Sequence, residues 1–360
     1  MASVVVVGAG VIGSALARRL AEDGWRVTVV ERHRPAHPQA ASSAESRLIR
    51  SAHGADDEMT ASAWRARRLW QAIAAEAGRE LLVECGVVWF GHRADGWEAK
   101  SEIVLGKLGI PHERLTPAQT AKLFPSFDGD DLLFSLYEPE AGVIRAREAV
   151  DVLVAQARAR GASFVKANAR PQGAAAVVGD EVVEADAVVW ASGPWLPKLF
   201  PDLIAQSVTQ QDTAFGVAAD WQTPSTPAWL DQDADVYGVG DLGNGFKLAT
   251  GLPGHELDPD LDERTVSAEA TRAARAYLAR RFPALSGARL TGGQSCPSTA
   301  QSAPVVAPHP EFPSVWLVGG GGGMFKHAPA LAEHVADLLT GAALPQATFA
   351  LPGSAPTLLP

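Results

Sequence analysis

Three glycines carry the first chemical signal. Gly8, Gly10 and Gly13, with Val11 and Ile12 ahead of the last, directly follow the run Val4-Val5-Val6-Val7. Gly8 permits a tight turn, Gly10 lets backbone approach a pyrophosphate, and Gly13 lets a helix lie close to a strand. A helix starting here offers unpaired N–H groups and a positive dipole to phosphate. Glu31 stands 18 residues after Gly13 and can accept hydrogen bonds from ribose hydroxyls. It would repel a 2′-phosphate, which argues against NADP. Near the other end, Gly319 to Gly323 precede a helical stretch. Backbone free of side chains can pass against a flat ring system, and the helix start beyond can stabilise negative charge.

Those groups need particular elements to hold them. Val4 to Val7 is β-branched and suits a strand buried on both faces. Ser14 to Asp23 reads as a helix ended by Gly24, and Trp25 to Val30 as the next strand. Strand, glycine turn, helix, strand and acid thus appear in the order that a dinucleotide fingerprint requires. Further on, the pattern predicts helices over Asp57–Ala77, Glu98–Leu108, Pro117–Leu123 (capped by Thr116), Arg147–Arg160, Ser267–Phe282 and Pro329–Leu339. Gly86–Gly91, Ser163–Ala167 and Val315–Val318 read as strands. Glu181–Trp190 reads as a strand pair, and Gln206–Leu252 as an antiparallel sheet.

Nucleotide-type βα units recur at the start, middle and end, with sheet-like insertions between them. The expected class is α/β: a Rossmann-like domain interleaved with an α+β lobe built on an antiparallel sheet. The dinucleotide-binding part takes 1–80, 146–205 and 291–345. The substrate part takes 81–145 and 206–290, and 346–360 is a tail, loosely packed from Leu351. At 360 residues with 47% hydrophobic content, the chain can fill two lobes. A net charge of −10 argues against a general nucleic-acid binder. Two distant cysteines, Cys85 and Cys296, form neither a disulfide framework nor a zinc spacing, which fits a reducing cytoplasm. Neither a signal peptide nor the roughly 20 unbroken apolar residues of a membrane helix is found.

Five places together resemble the D-amino acid oxidase superfamily of flavoenzymes, and within it the monomeric sarcosine oxidase group. They are Gly8–Gly13 with Glu31; Ser42-Ser43 through Ser46-Arg47-Leu48-Ile49-Arg50; Ala191-Ser192-Gly193-Pro194-Trp195; Gly245-Phe246-Lys247-Leu248; and Cys296 with Gly319 to Lys326. The resemblance implies FAD. Its contacts would come from Gly8 to Gly13, Glu31, Arg32, Ser42, Ser43 and Arg47. Ala191, Gly193, Trp195, Gly320, Gly322, Gly323, Met324 and Lys326 would complete them. Cys296 matches the cysteine that carries covalent flavin in the sarcosine oxidase group. Arg50 and Lys326 would share a substrate carboxylate, the arginine as a fork and the lysine as a point charge. Lys247 matches the lysine assigned to oxygen activation, where a cation would stabilise developing superoxide. His53 and His327 flank the two carboxylate candidates and could tune amine protonation.

The implied reaction oxidises the C–N bond of a secondary, cyclic or primary amino acid to an imine. Electrons then pass to O2 and give H2O2. Alternatives are a dehydrogenase that uses a quinone or carrier protein, a tailoring oxidase of secondary metabolism, and a non-catalytic flavin-binding protein. The sequence departs from the sarcosine oxidase pattern in several places. Ser298 replaces an aromatic and also enters the candidate substrate pocket. Gln301-Ser302-Ala303 stand where an acid is usual, Gly251 where a histidine is common, and Ser43 replaces another histidine. A pocket altered this way should accept something other than sarcosine.

Overall fold

The computed structural model describes residues 1–251, 254–299 and 304–351. A six-stranded sheet runs in the order Val305–Pro308, Val315–Gly319, Ala187–Trp190, Ser3–Val7, Arg26–Glu31, Ser163–Lys166. Its strands are parallel except Val305–Pro308, which pairs antiparallel at one edge. The valine run is central because both its faces are covered. Helices Val11–Glu22, Ala146–Ala159 and Ala328–Thr340 pack on one face through Val4, Val6, Leu16, Leu20, Leu153 and Val335. Val5, Val7, Trp190, Leu196 and Phe200 fill the other. Among the described residues, no helix is long and apolar enough to cross a membrane.

An eight-stranded sheet contains Leu290–Ser298, Thr209–Gly216, Phe246–Thr250, Val236–Val239, Ala228–Asp231, Val87–Gly91, Phe134–Glu138 and Glu113–Leu115, in that order. Its neighbours are antiparallel except at Ala228–Asp231 against Val87–Gly91, where strands far apart in sequence meet in parallel. Phe90, Phe124, Trp221, Trp229 and Phe282 close over it beneath helix Ala268–Arg281. A small sheet pairs Gly142–Arg145 with both Ser46–Ile49 and Leu82–Val83.

The observed elements differ from expectation in places. The first helix begins at Val11, because Gly10 is its N-cap. Glu181–Val183 and Ala187–Trp190 lie in separate sheets, so the expected strand pair is not formed. The helix at Pro117 opens on a capping box of Thr116 and Gln119 and stops at Thr120. Leu290–Ser298 belongs to the antiparallel sheet although the sequence division fell at 290/291, and the small sheet spans the division at 80/81. Ala347–Phe349 forms a short 3-10 turn and Leu351 is buried, so the tail is packed at least that far. Residues 352–360, like Gln301-Ser302-Ala303 and Leu252, lie outside the described residues.

Helix Val11–Glu22 sits so close to the sheet that a Cβ on Gly13 would stand 2.0 Å from the Gly8 carbonyl oxygen. Backbone cannot yield cheaply there, and overpacking of this kind costs about 1–3 kcal/mol. Gly13→Ala should therefore lower the urea midpoint of unfolding. An unchanged midpoint would mean that the helix can move out without loss.

Candidate active site

A cavity of about 570 Å³ is lined by residues of both large sheets. One end holds Glu31, Arg32, Ala167 and Asn168; the other holds Arg50, Leu230, Tyr237 and Lys326. The walls between include Gly8, Gly10, Val11, Ile12, Ser42, Arg47, Ala191, Gly193, Trp195 and Gly319 to Met324.

At the first end, backbone fixes the acid. Glu31 Oε2 accepts from the Ala9 N–H at 2.8 Å and Oε1 from the His33 N–H at 2.9 Å. Helix Val11–Glu22 begins with no acidic residue in its first turn and no cap from Gly10 itself. Instead the Ser42 hydroxyl accepts from the Val11 N–H at 3.1 Å. A helix start left this open, beside a glycine turn and a fixed carboxylate, fits a dinucleotide. Gly320, Gly321 and Gly323 all have φ near +75°, and Gly323 is so close to Lys326 that a Cβ would stand 2.9 Å from its Nζ.

A charged bridge closes the Glu31 end. The Arg32 guanidinium lies 5.0 Å from the Trp195 ring and pairs with Asp260 at 2.7 Å. The Trp195 Nε1–H donates to the same Asp260 oxygen at 2.7 Å, and Lys198 reaches the other at 2.6 Å. Partial burial pushes the Asp260 carboxyl up, but bonds from Lys198, Trp195 and Arg32 hold it well below the usual carboxylate range.

At the far end, positive charge is concentrated. Arg50 stacks over Trp89 and Trp97 at 4.9 and 5.7 Å and donates to the Ala52 carbonyl. Burial pushes its guanidinium down to about 10, against the pull of Glu138, so it remains charged at neutral pH. Lys326 is 3% exposed, and its Nζ donates to the Gly323 carbonyl at 2.9 Å. Burial, and then Arg50, holds its ammonium well below the ordinary lysine value. Glu138 is the carboxylate that acts on both cations. It is itself engaged, accepting from the Ser51 N–H at 2.7 Å and the Trp89 Nε1–H at 2.9 Å. Two cations against one occupied carboxylate leave room for a second, incoming anion.

Not every candidate residue reaches the cavity. Ser43, expected at the cofactor, is fully buried; its hydroxyl faces the Pro38 and Ala40 carbonyls at 2.9 and 2.8 Å. That corrects the expected contact: with the shorter serine in place of a histidine, the side chain folds into its own loop. Lys247 is 1% exposed and lies behind the wall. Its Nζ donates to the Ser46 carbonyl at 3.0 Å, 5.5 Å from the Tyr237 ring centre, and burial pushes its ammonium down. Cys296 is 5% exposed, opposite Gln211 across a strand pair; Gln211, Pro297 and Ser298 line the cavity, and the cysteine does not. Cys85 is buried away from the cavity.

Residues that the sequence did not single out complete the site. Glu138 and Asp260 are charges distant in sequence from any motif, whereas Lys198 lies three residues after Trp195. Tyr237, Leu230 and Gln211 sit on strands of the antiparallel sheet, where alternation alone could have marked them as facing one side. Among the described residues, no group of three or more His, Cys, Asp or Glu is placed to hold a metal.

Known proteins share both the sequence and the fold. Monomeric sarcosine oxidase from Streptomyces avermitilis is 28% identical, over 94% of each chain. L-proline dehydrogenase from P. horikoshii superposes with a TM-score of 0.85 at 19% identity, covering 96% of this chain and 95% of that one. Glycine oxidase from Geobacillus kaustophilus gives 0.80 at 23% identity, covering 99% and 100%. Residues 3–338 match the profile of the FAD dependent oxidoreductase family, and the chain belongs to that family of flavoenzymes.

Proposed function

We propose that this enzyme oxidises the C–N bond of an amino acid, secondary, cyclic or primary, to an imine, with O2 as the final acceptor and H2O2 as product. The observation that carries this reading is the pair of cations, half-buried Arg50 and buried Lys326, at the end of the cavity away from Glu31. The likeness to a monomeric sarcosine oxidase supports it.

Bound FAD would supply a two-electron acceptor. Glu31 and the start of helix Val11–Glu22 would hold its ribose and phosphates, with Ser42 and Arg47 alongside. Arg32 and Trp195 would cover the same end. Gly319 to Met324 would let the ring system lie flat against backbone. Arg50 and Lys326 would take the substrate carboxylate, so that the carbon bearing the amine points along the cavity towards that ring. Orientation of this kind can lower a barrier by several kcal/mol. Tyr237 and Leu230 would bound the substrate side chain. No protein base is required if the amine is bound neutral.

Lys247 would act on oxygen through its charge rather than by contact. Its place behind the wall favours a second reading, a dehydrogenase that passes electrons to a quinone or carrier. Reoxidation of the reduced enzyme separates the two. Rapid reoxidation in air that is slowed in Lys247→Met supports the oxidase. Slow reoxidation in air but rapid reoxidation with an artificial acceptor supports the dehydrogenase.

Covalent flavin through Cys296 is part of the proposal. The thiol is one residue away from the cavity lining at Pro297, on a strand whose next residues continue that lining. Acid precipitation should leave the yellow colour in the pellet of the wild type and release it in Cys296→Ser. Colour in the wild-type supernatant would restrict Cys296 to packing.

The carboxylate role gives the central test. Arg50→Ala and Lys326→Met should each weaken binding of amino-acid ligands by roughly tenfold or more, the order expected for one charge-assisted bond. Because burial brings Lys326 closer to losing its proton, wild-type affinity should fall as pH rises through a range below that of an ordinary lysine, whereas Lys326→Met should lose that part of the dependence. Unchanged affinity in both variants would remove the carboxylate reading.

A further inference from the structure

Arg50 and Lys326 come from segments far apart in sequence, and each is followed closely by a histidine. Those histidines meet. His53 Nε2 lies 3.3 Å from His327 Nε2, with ring centres 5.2 Å apart and planes inclined at 54°. The chain continues both ways: His53 Nδ1 is 2.8 Å from the Ser51 carbonyl, and His327 Nδ1 is 3.0 Å from the Ser62 hydroxyl. His327 is 1% exposed and Ser62 half-buried.

One arrangement of protons satisfies the chain. A carbonyl only accepts, so His53 Nδ1 carries the hydrogen. A neutral imidazole has one N–H, so His53 Nε2 is an acceptor. His327 therefore donates from Nε2, and its Nδ1 accepts from Ser62. Donation runs from Ser62 to His327 to His53 to Ser51.

We propose that the His53–His327 hydrogen bond is a strut that fixes the spacing of Arg50 and Lys326, which makes both histidines positioning residues for the carboxylate. This rests on the carboxylate reading above. Other anchors act on one side at a time. Glu138 holds the Ser51 and Ala52 N–H groups to strand Phe134–Glu138, and Trp70 donates to the Lys326 carbonyl at 2.8 Å. The imidazole pair joins the two segments directly.

The strut has a consequence in acid. A second proton on the pair puts an N–H on both facing nitrogens, and the bond is lost. The charged groups acting on the pair are Arg50 and Lys326, themselves opposed by Glu138; the Ser51 carbonyl and the Ser62 hydroxyl are its neutral partners. Burial, followed by Arg50 and Lys326, holds His53 well below the usual histidine range; burial, followed by Lys326 and Arg50, does the same for His327. The strut thus persists at neutral pH and fails only in acid. Charge alone gives the opposite expectation, since an imidazolium beside the site should tighten a carboxylate.

The test uses flavin-loaded enzyme and furan-2-carboxylate, a carboxylate without an oxidisable amine, followed by the flavin absorbance change. At about pH 8, His327→Leu should raise the Kd roughly five- to tenfold, the effect of one lost buried hydrogen bond. His327→Gln should restore near-wild-type affinity, because its amide can donate to His53. When the pH is lowered until the imidazole NMR signals report protonation of the pair, with the ligand still ionised, the wild type should lose affinity relative to His327→Gln. That amide can turn its oxygen towards a protonated His53 and keep the bond. The wild-type and His327→Gln comparison carries the test even if His327→Leu does not fold. A Kd for His327→Leu within about twofold of wild type, or the same acid dependence in wild type and His327→Gln, would overturn the strut. Failure of furan-2-carboxylate to bind at all would instead remove the carboxylate reading, and the strut with it.

Discussion

The site depends on keeping two cations out of water. An ammonium or guanidinium loses several kcal/mol of hydration on burial unless something replaces it. Arg50 obtains a carbonyl and two indole faces, and Lys326 a carbonyl. Glu138 supplies the opposing charge, but its oxygens are committed to backbone and to Trp89. The result is a region partly neutralised by the protein and completed by a ligand anion. Burial of Trp89 and pairing of strand Phe134–Glu138 with Val87–Gly91 follow from the same requirement, because they carry the partners of those charges.

The nucleotide end is organised on another basis. There the protein presents a helix start, a glycine turn and a carboxylate held by two N–H groups, with Arg32 paired to Asp260 alongside. Backbone donors are rigid and nearly independent of pH, which suits a cofactor that stays bound. At the other end the lining carries the side-chain cations Arg50 and Lys326. One cavity thus joins two ways of holding charge, and both large sheets contribute to its lining.

Legibility in the sequence followed range. The fingerprint at Gly8 to Glu31 could be read because its parts are local and their order is dictated by sterics. Helix Asp57–Ala77 was legible to the residue, since Asp56 caps it and Gly78 ends it in a left-handed conformation. The α/β class followed from the same periodicities. Glu138, Asp260 and the bond between His53 and His327 were not legible, because they arise where strands or loops far apart in sequence are brought together. Ser43 was misread for a related reason. A motif position implies a direction for the side chain, yet a short hydroxyl is free to turn to the nearest carbonyl. The strand Leu290–Ser298 was not read in the sequence, and the division at 290/291 cuts it from the sheet it joins.

The bridge at Asp260 bears on how the halves of the molecule stay together. Arg32 and Trp195 come from the nucleotide sheet's loops, whereas Asp260 follows strand Phe246–Thr250 of the other sheet. Their contact fastens the two halves of the chain together across the mouth beside Glu31. That fastening is made of partly exposed charges rather than of packed apolar side chains, so salt would loosen it while leaving each half's own core intact.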